Sequence, residues 1–257
     1  MEEKIENNIE NAQIDIEKEP PYKQYPRFKD WIFRLVLFVV GFAGLEVITF
    51  IIQFIIIVVN PNLLDEKSDL YITGLTMMNT IRYVILFIAF VVLLFPRLGV
   101  ILSKFKNWKT DLIGLGAGIA LIGITVIYNI IVSQFVDFGV NNNEEAAETM
   151  IKMFPVLSVF ILGIIGPICE EFTYRYGLFE CVRKKNIILA YIVATIVFAI
   201  IHFDFTGDMK TELLNLPTYI IAGAGLCFVN HKFGFNSAII AHIFNNCYAI
   251  VTTLIVA

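Results

Sequence analysis

The chain alternates between long apolar segments and short polar connections. We place seven apolar segments at 31–59, 71–95, 112–136, 156–180, 187–203, 217–230 and 236–256. A helix needs about 20 apolar residues to cross the hydrocarbon core of a bilayer, and most of these segments reach that length. The sixth segment is short and begins at Pro217, and helix-forming residues predict an eighth, short helix within 143–155.

Composition supports a membrane protein. Of the 257 residues, 58% are hydrophobic, which exceeds the apolar share of an ordinary soluble domain. A backbone that faces lipid must satisfy its own hydrogen bonds, so we predict an all-α polytopic fold of seven to eight transmembrane helices over 29–257. Residues 1–28 are polar and acidic, and we expect a disordered tail.

Basic residues alternate between the connections and predict an orientation. They concentrate before the first segment, between the second and third, between the fourth and fifth, and before the seventh. Since lysine and arginine favour the cytoplasmic side, we expect a cytoplasmic N-terminus and an external C-terminus. The asparagine, isoleucine and lysine usage indicates a bacterial chain, hence a bacterial plasma membrane. The expected surroundings are the lipid bilayer, and we expect no nucleic-acid partner.

Several polar or small residues lie inside the apolar segments of the N-terminal half. Arg34 lies near the start of the first segment, and we expect its charged end to reach the membrane surface. Glu46 and Arg82 lie deeper in neighbouring segments, which predicts a structural ion pair between them. The glycine-rich run 114–123 favours close packing of the third segment against another helix.

The stretch ICEEFTYRYG, residues 168–177, carries three charged side chains inside an apolar segment. Glu171 and Arg175 are four residues apart, so on a helix they share a face and can form an ion pair. Glu170 points about 100° away from Glu171 and is free to face a cavity. We therefore interpret Glu171 as a structural anchor and Glu170 as the reactive carboxylate.

Two later segments carry a histidine with a second residue of interest at the same spacing. Phe198 and His202 are four residues apart in the fifth segment, and His242 and Asn246 are four apart in the seventh. Glu170 and His202 come from two predicted helices, and His242 with Asn246 comes from a third. These four side chains could converge on one polar cavity. His242 and Asn246 lie near the start of their segment, so they reach that depth only if the preceding loop enters the protein.

A glutamate with two histidines has two established uses. One is a metal site of two histidines and a glutamate with a bound water. The other is metal-free: the glutamate activates water, and histidine and asparagine donors stabilise the oxyanion. Both alternatives hydrolyse an acyl bond. A proton-coupled transporter also needs buried glutamate and histidine, but it predicts two repeated halves, and no internal repeat is visible.

Three motifs together resemble a known family. The stretches EEFTYR (170–175), FAIIH (198–202) and HIFNN (242–246) resemble the ordered motifs EExxxR, FxxxH and HxxxN. These motifs mark the CPBP family, the CAAX prenyl endopeptidases and bacteriocin-processing, or Abi, proteins. The resemblance covers a predicted catalytic core at about 150–250. It implies an intramembrane endopeptidase that hydrolyses a peptide bond of a membrane-associated peptide or protein, or of a lipidated tail.

The resemblance also implies roles for individual residues. It assigns catalysis to Glu170, His202, His242 and Asn246, and support to Glu171, Arg175 and Phe198. Glu170 would activate the water with help from His202, and His242 with Asn246 would stabilise the oxyanion. Such proteins are described both as metalloproteases and as metal-free, so a divalent metal such as zinc on Glu170, His202 and His242, or no cofactor, both remain open. A non-catalytic bacteriocin-immunity or scaffold protein is a further alternative.

Overall fold

A computed structural model describes residues 30–65, 67–136 and 139–256. The expected N-terminal tail lies outside these residues. The described part contains eight helices of at least twelve residues: α1 (Asp30–Val59), α2 (Tyr71–Leu94), α3 (Trp108–Ser133), α4 (Asn142–Met153), α5 (Pro155–Arg183), α6 (Ile187–Ile200), α7 (Met209–Phe233) and α8 (Phe235–Val256). Helix α2 continues through a 3₁₀ turn to a short helix that ends at Lys104.

The predicted all-α membrane fold is confirmed. Six of the described helices are long and apolar enough to cross a membrane, namely α1, α2 with its continuation, α3, α5, α7 and α8. Helix α6 is apolar but has only 14 residues. Helix α4 is the short eighth helix that the sequence predicts within 143–155. The described residues contain no strand.

The predicted start of the sixth segment is wrong. Helix α7 begins at Met209, and Pro217 lies inside it. The helix starts earlier because the Asp208 side chain accepts a hydrogen bond from the Thr211 backbone N–H and caps the first turn. Proline removes one helical hydrogen bond, and in the same region the Tyr128 hydroxyl of α3 donates to the Leu214 carbonyl at 2.7 Å.

Helix α5 is not a regular α-helix. Two π-helical stretches, Val159–Ile165 and Glu171–Phe179, interrupt it. At the end of the first stretch the Gly166 N–H donates to the Ile161 carbonyl, five residues back. π-helical turns of this kind occur frequently at functional sites.

Glycines allow neighbouring helices to approach one another closely. A Cβ atom at Gly114 or Gly118 of α3 would lie 2.7–3.0 Å from backbone carbonyl oxygens of α8. At Gly41 of α1, a Cβ atom would lie 1.9 Å from the Thr173 hydroxyl of α5. The close packing predicted for the run 114–123 is therefore present, and its partner is α8.

Two predictions for charged residues of the N-terminal half are wrong. Arg34 does not reach solvent at the N-terminal end of α1; it is buried, and it donates to the Asp30 carboxylate at 2.9 Å and to the Tyr176 carbonyl at 3.0 Å. Within the described ranges Glu46 and Arg82 form no ion pair. Glu46 is exposed on α1, whereas the Arg82 guanidinium lies over a tyrosine ring.

The turn between α7 and α8 enters the protein, as the depth of His242 requires. Gly234 forms this turn with a φ of 103°, a value that a residue with a side chain rarely adopts. Phe235 and Asn236 follow at 5% and 3% exposure, and Phe235 packs in the hydrophobic core. Helix α8 therefore starts deep enough to bring its eighth residue, His242, to the level of Glu170 and Glu171 on α5.

Candidate active site

One cavity brings together the polar residues that the sequence singles out. It measures about 220 Å³, and Glu170, His202, His242 and Asn246 all line it. Phe198 and Asn245 also contribute to its wall. The convergence expected from helical spacing is thus present in the structure, although the chemical role of each residue stays a prediction.

Glu170 presents its carboxylate to this cavity. Its side chain is 15% exposed, and the Tyr83 hydroxyl of α2 donates to its Oε1 at 3.2 Å. The other oxygen, Oε2, lies 3.6 Å from Nε2 of His242. One oxygen is therefore held by a hydrogen bond while the other faces the histidine.

Glu171 points away from the cavity and forms the expected ion pair. Its Oε1 lies 2.8 Å from Nη1 of Arg175, and both side chains are fully buried. The Arg175 guanidinium stacks over the Phe198 ring at 4.3 Å and donates to the Gly223 carbonyl at 3.4 Å. This pair therefore ties α5 to α6 and α7 behind the cavity wall.

His242 connects the two glutamates. Its Nδ1 lies 2.8 Å from Oε1 of Glu171. Because a carboxylate can only accept a hydrogen bond, Nδ1 carries the proton. Nε2 is then directed at Glu170 and the cavity. The buried ion pair thus sets the orientation of a ring that faces the solvent-accessible carboxylate.

His202 lies in the turn two residues beyond the end of α6, and its ring is held in a similar way. Its Nδ1 lies 2.8 Å from the Phe198 carbonyl, which can only accept, so this nitrogen also carries a proton. The ring packs against Phe198 at 4.8 Å and stacks almost parallel on Tyr219 at 4.6 Å. In the neutral ring, Nε2 therefore holds the free lone pair.

The Asn246 side chain is oriented by a backbone carbonyl that the π-helical turn of α5 leaves without a helical donor. In that register the Leu162 carbonyl would accept from residue 167, which is Pro167 and has no N–H. The Asn246 amide nitrogen donates to this carbonyl at 3.0 Å instead. Its second N–H remains for the cavity.

Sequence reasoning missed three side chains of the site. Tyr83 comes from α2, and Glu144 and Tyr219 line the cavity from α4 and α7. The Tyr219 hydroxyl lies 3.3 Å from a Glu144 carboxylate oxygen, to which it donates. Burial raises the pKa of Glu144, and this hydrogen bond opposes the shift. No sequence spacing links these residues to the three motifs, because each lies on a different helix.

The proposed metal ligands do not form a metal-binding group as they stand. In the part of the chain that the structure describes, no cluster of three or more His, Cys, Asp or Glu side chains is arranged to hold a metal. His242 and Glu170 approach each other, but His202 is not grouped with them. A metal held by Glu170, His202 and His242 therefore stays a prediction.

Comparison with known proteins supports the resemblance over the same region. Residues 152–248 match the family model described as type II CAAX prenyl endopeptidase Rce1-like. The chain is also similar to the UPF0177 protein YxdF of Lactococcus lactis subsp. lactis (strain IL1403), with 24% identity over 121 residues, 46% of this chain and 67% of that protein. No solved structure matches the chain significantly. The similarity to the CPBP family is therefore confirmed for residues 152–248, which contain all three motifs.

Proposed function

We propose that this protein is an intramembrane endopeptidase that hydrolyses a peptide bond in a membrane-associated peptide or a lipidated tail. One observation carries the proposal: Glu170, His202, His242 and Asn246 line a single cavity, while the neighbouring ion pair is sealed behind its wall. An ionisable cluster inside a membrane domain is costly to maintain and marks function. The family match over residues 152–248 supports a protease function in general, but it does not bear on the role of each residue.

Glu170 acts as the general base in the proposed mechanism. It takes a proton from a water molecule in the cavity, and the water oxygen bonds to the carbonyl carbon of the substrate. The free Nε2 lone pair of His202 accepts a hydrogen bond from the same water and orients it. Glu170 then passes the proton to the leaving nitrogen as the carbon–nitrogen bond breaks. General acid–base catalysis of this kind contributes roughly 10²–10⁴-fold to the rate.

Asn246 and His242 stabilise the oxyanion that forms during attack. The second N–H of the Asn246 amide is available because the first is fixed on the Leu162 carbonyl. His242 donates from Nε2 when that nitrogen also carries a proton. Donors that are fixed before the reaction act strongly in a site of low dielectric constant, and both side chains are held by partners outside the cavity.

We place the protein in a bacterial plasma membrane with its N-terminus in the cytoplasm. The six long apolar helices support an integral membrane location. The distribution of lysine and arginine among the connections supports the orientation. The substrate therefore reaches the site from the bilayer or its surface.

Cleavage of a peptide panel tests the proposal. The purified protein in detergent is given prenylated and unmodified hydrophobic peptides, and products are identified by mass spectrometry. We expect a cleaved peptide with the wild type and the Glu148→Gln control, which changes an exposed glutamate of α4, but not with Glu170→Gln. Undiminished cleavage by Glu170→Gln would reject the mechanism. Metal analysis of the same preparations, with and without chelator, decides between the metal-dependent and metal-free alternatives.

Failure to cleave any peptide would direct attention to the non-catalytic alternative. In that case cells that express wild type or Glu170→Gln would be compared for resistance to a bacteriocin. Equal protection by both proteins would support an immunity or scaffold function. Proton-coupled flux in liposomes would instead support transport.

A further inference from the structure

Polar contacts define one end of the helical bundle. The Asp30 carboxylate at the start of α1 contacts both Arg97, in the 3₁₀ turn after α2, and Lys184, just beyond α5. The Asn236 amide at the start of α8 donates at 2.8 Å to Asp111 in the first turn of α3. We call this the basic end, because the described residues there include the cationic groups Arg97, Lys104, Lys106, Lys109, Arg183–Lys185 and Lys232.

A second set of contacts defines the opposite, acidic end. The Asn142 amide at the start of α4 donates to the Asp204 carboxylate at 2.7 Å. The buried Glu212 carboxylate accepts from the backbone N–H groups of both residues at 3.1–3.2 Å. In the described connections at this end the basic residues are Lys67, Lys152 and Lys210.

The candidate active site belongs to the acidic end. Asn143 and Glu144, in the first turn of α4, line the same cavity as Glu170. Tyr219, three turns into α7, stacks on His202 and hydrogen-bonds to Asn143 at 3.3 Å. None of the cationic residues of the basic end lines the cavity.

We propose that the cavity opens to the extracytoplasmic side of the membrane. Lysine and arginine in short connections favour the cytoplasm, so the basic end is cytoplasmic and the acidic end is external. The site then acts on a peptide that is presented from the outer face, either exported by the cell or arriving from outside. Cleavage of that peptide rests on the proposed protease function, whereas the direction in which the cavity opens does not.

Cysteine labelling in cells tests the direction in which the cavity opens, and it does not require catalytic turnover. The four native cysteines are replaced, and single cysteines are introduced by Asn143→Cys at the rim, Asn245→Cys inside the cavity and Lys106→Cys at the basic end. Cells are treated with a sulfonated maleimide that cannot cross the membrane, before or after permeabilisation. Ala249→Cys, also in the cavity wall, replaces Asn245→Cys if that variant does not accumulate.

The expected result is labelling of Asn143→Cys and the cavity cysteine in intact cells, and at least ten-fold less labelling of Lys106→Cys until permeabilisation. Labelling of Lys106→Cys alone in intact cells would overturn the proposal. Labelling of the rim without the cavity cysteine would also overturn it, because the cavity would then be closed from outside. Expected labelling together with no peptide cleavage would leave the direction standing and reject the protease function.

Discussion

Two adjacent faces of helix α5 carry the same residue type in opposite surroundings. On one face Glu171 is fully buried and pairs with Arg175. On the other face Glu170 is partly exposed in a cavity and accepts a hydrogen bond from Tyr83. The difference shows how one glutamate can fix a structure while its neighbour is left for chemistry, with His242 in contact with both.

Burying the Glu171–Arg175 pair costs free energy. Two charges removed from water lose hydration that their attraction repays only with good geometry. One oxygen of Glu171 and Nε of Arg175 have no hydrogen-bond partner among the described residues. A pair of this kind is poor evidence for stability. Its value in the site lies in the position that it gives to the His242 ring.

Breaking the buried pair has the largest expected effect. Arg175→Ala removes the countercharge of the buried Glu171, which keeps only the hydrogen bond from His242, and breaking a buried pair in this way costs about 3–5 kcal/mol. We expect a strong loss of folded protein and a much lower thermal unfolding midpoint in detergent. Lys152→Ala is the matched control, because it breaks an exposed pair with Glu148 and should cost about 0–1 kcal/mol.

A double variant separates stability from position. Glu171→Leu with Arg175→Met replaces the pair by apolar side chains of similar size, which is often neutral for stability. We expect the unfolding midpoint to recover most of the loss seen in Arg175→Ala. Cleavage should stay low, because Nδ1 of His242 has lost its acceptor. Full recovery of cleavage would show that the pair does not position His242.

Asn246→Ala is the next largest change and acts on the cavity side. Removing one oxyanion donor lowers turnover by roughly 10²–10³-fold. It also leaves the Leu162 carbonyl without its donor. Asn215→Ala removes an equivalent amide hydrogen bond, to the Gly139 carbonyl, outside the cavity. If both variants lowered turnover equally, the effect of Asn246 would be structural and not catalytic.

Of these changes, Tyr83→Phe is expected to have the smallest effect. The change removes only the hydroxyl that holds Oε1 of Glu170, and a hydrogen bond to a charged group contributes about 1.5–3 kcal/mol. We expect kcat to fall roughly 10- to 100-fold with KM unchanged. Tyr128→Phe also loses one tyrosine hydrogen bond, away from the site. An unchanged kcat in Tyr83→Phe would show that the Tyr83 hydroxyl does not contribute to catalysis.

Helical periodicity and spacing were sufficient to predict which polar side chains lie together, although their roles in a site stay a prediction. Glu171 and Arg175 pair because residues four apart share a helical face, and Glu170 is turned away from them. The same spacing brought His242 and Asn246 to one cavity. These predictions succeeded because each depends on contacts within one helix or on the high cost of polar groups in lipid.

Contacts between distant helices could not be predicted in this way. Tyr83 reaches Glu170 across 87 residues of chain, and no pattern in α2 marks it. Arg34 lies near a helix end, yet packing against Tyr176 buries it. Glu46 and Arg82 have complementary charges, but Glu46 is exposed and the Arg82 guanidinium lies over a tyrosine ring instead. Such contacts follow from tertiary packing, which a single sequence does not display.

The most direct test of the account compares Glu170→Gln with Glu171→Gln in the same preparation. Peptide cleavage and the thermal unfolding midpoint are measured for both variants and for the wild type. We predict that Glu170→Gln loses cleavage by roughly 10²–10⁴-fold and keeps the wild-type midpoint. Glu171→Gln should lower the midpoint clearly, because Arg175 loses its countercharge. Equal effects of the two variants on both measurements would contradict the assignment of separate roles to the two glutamates.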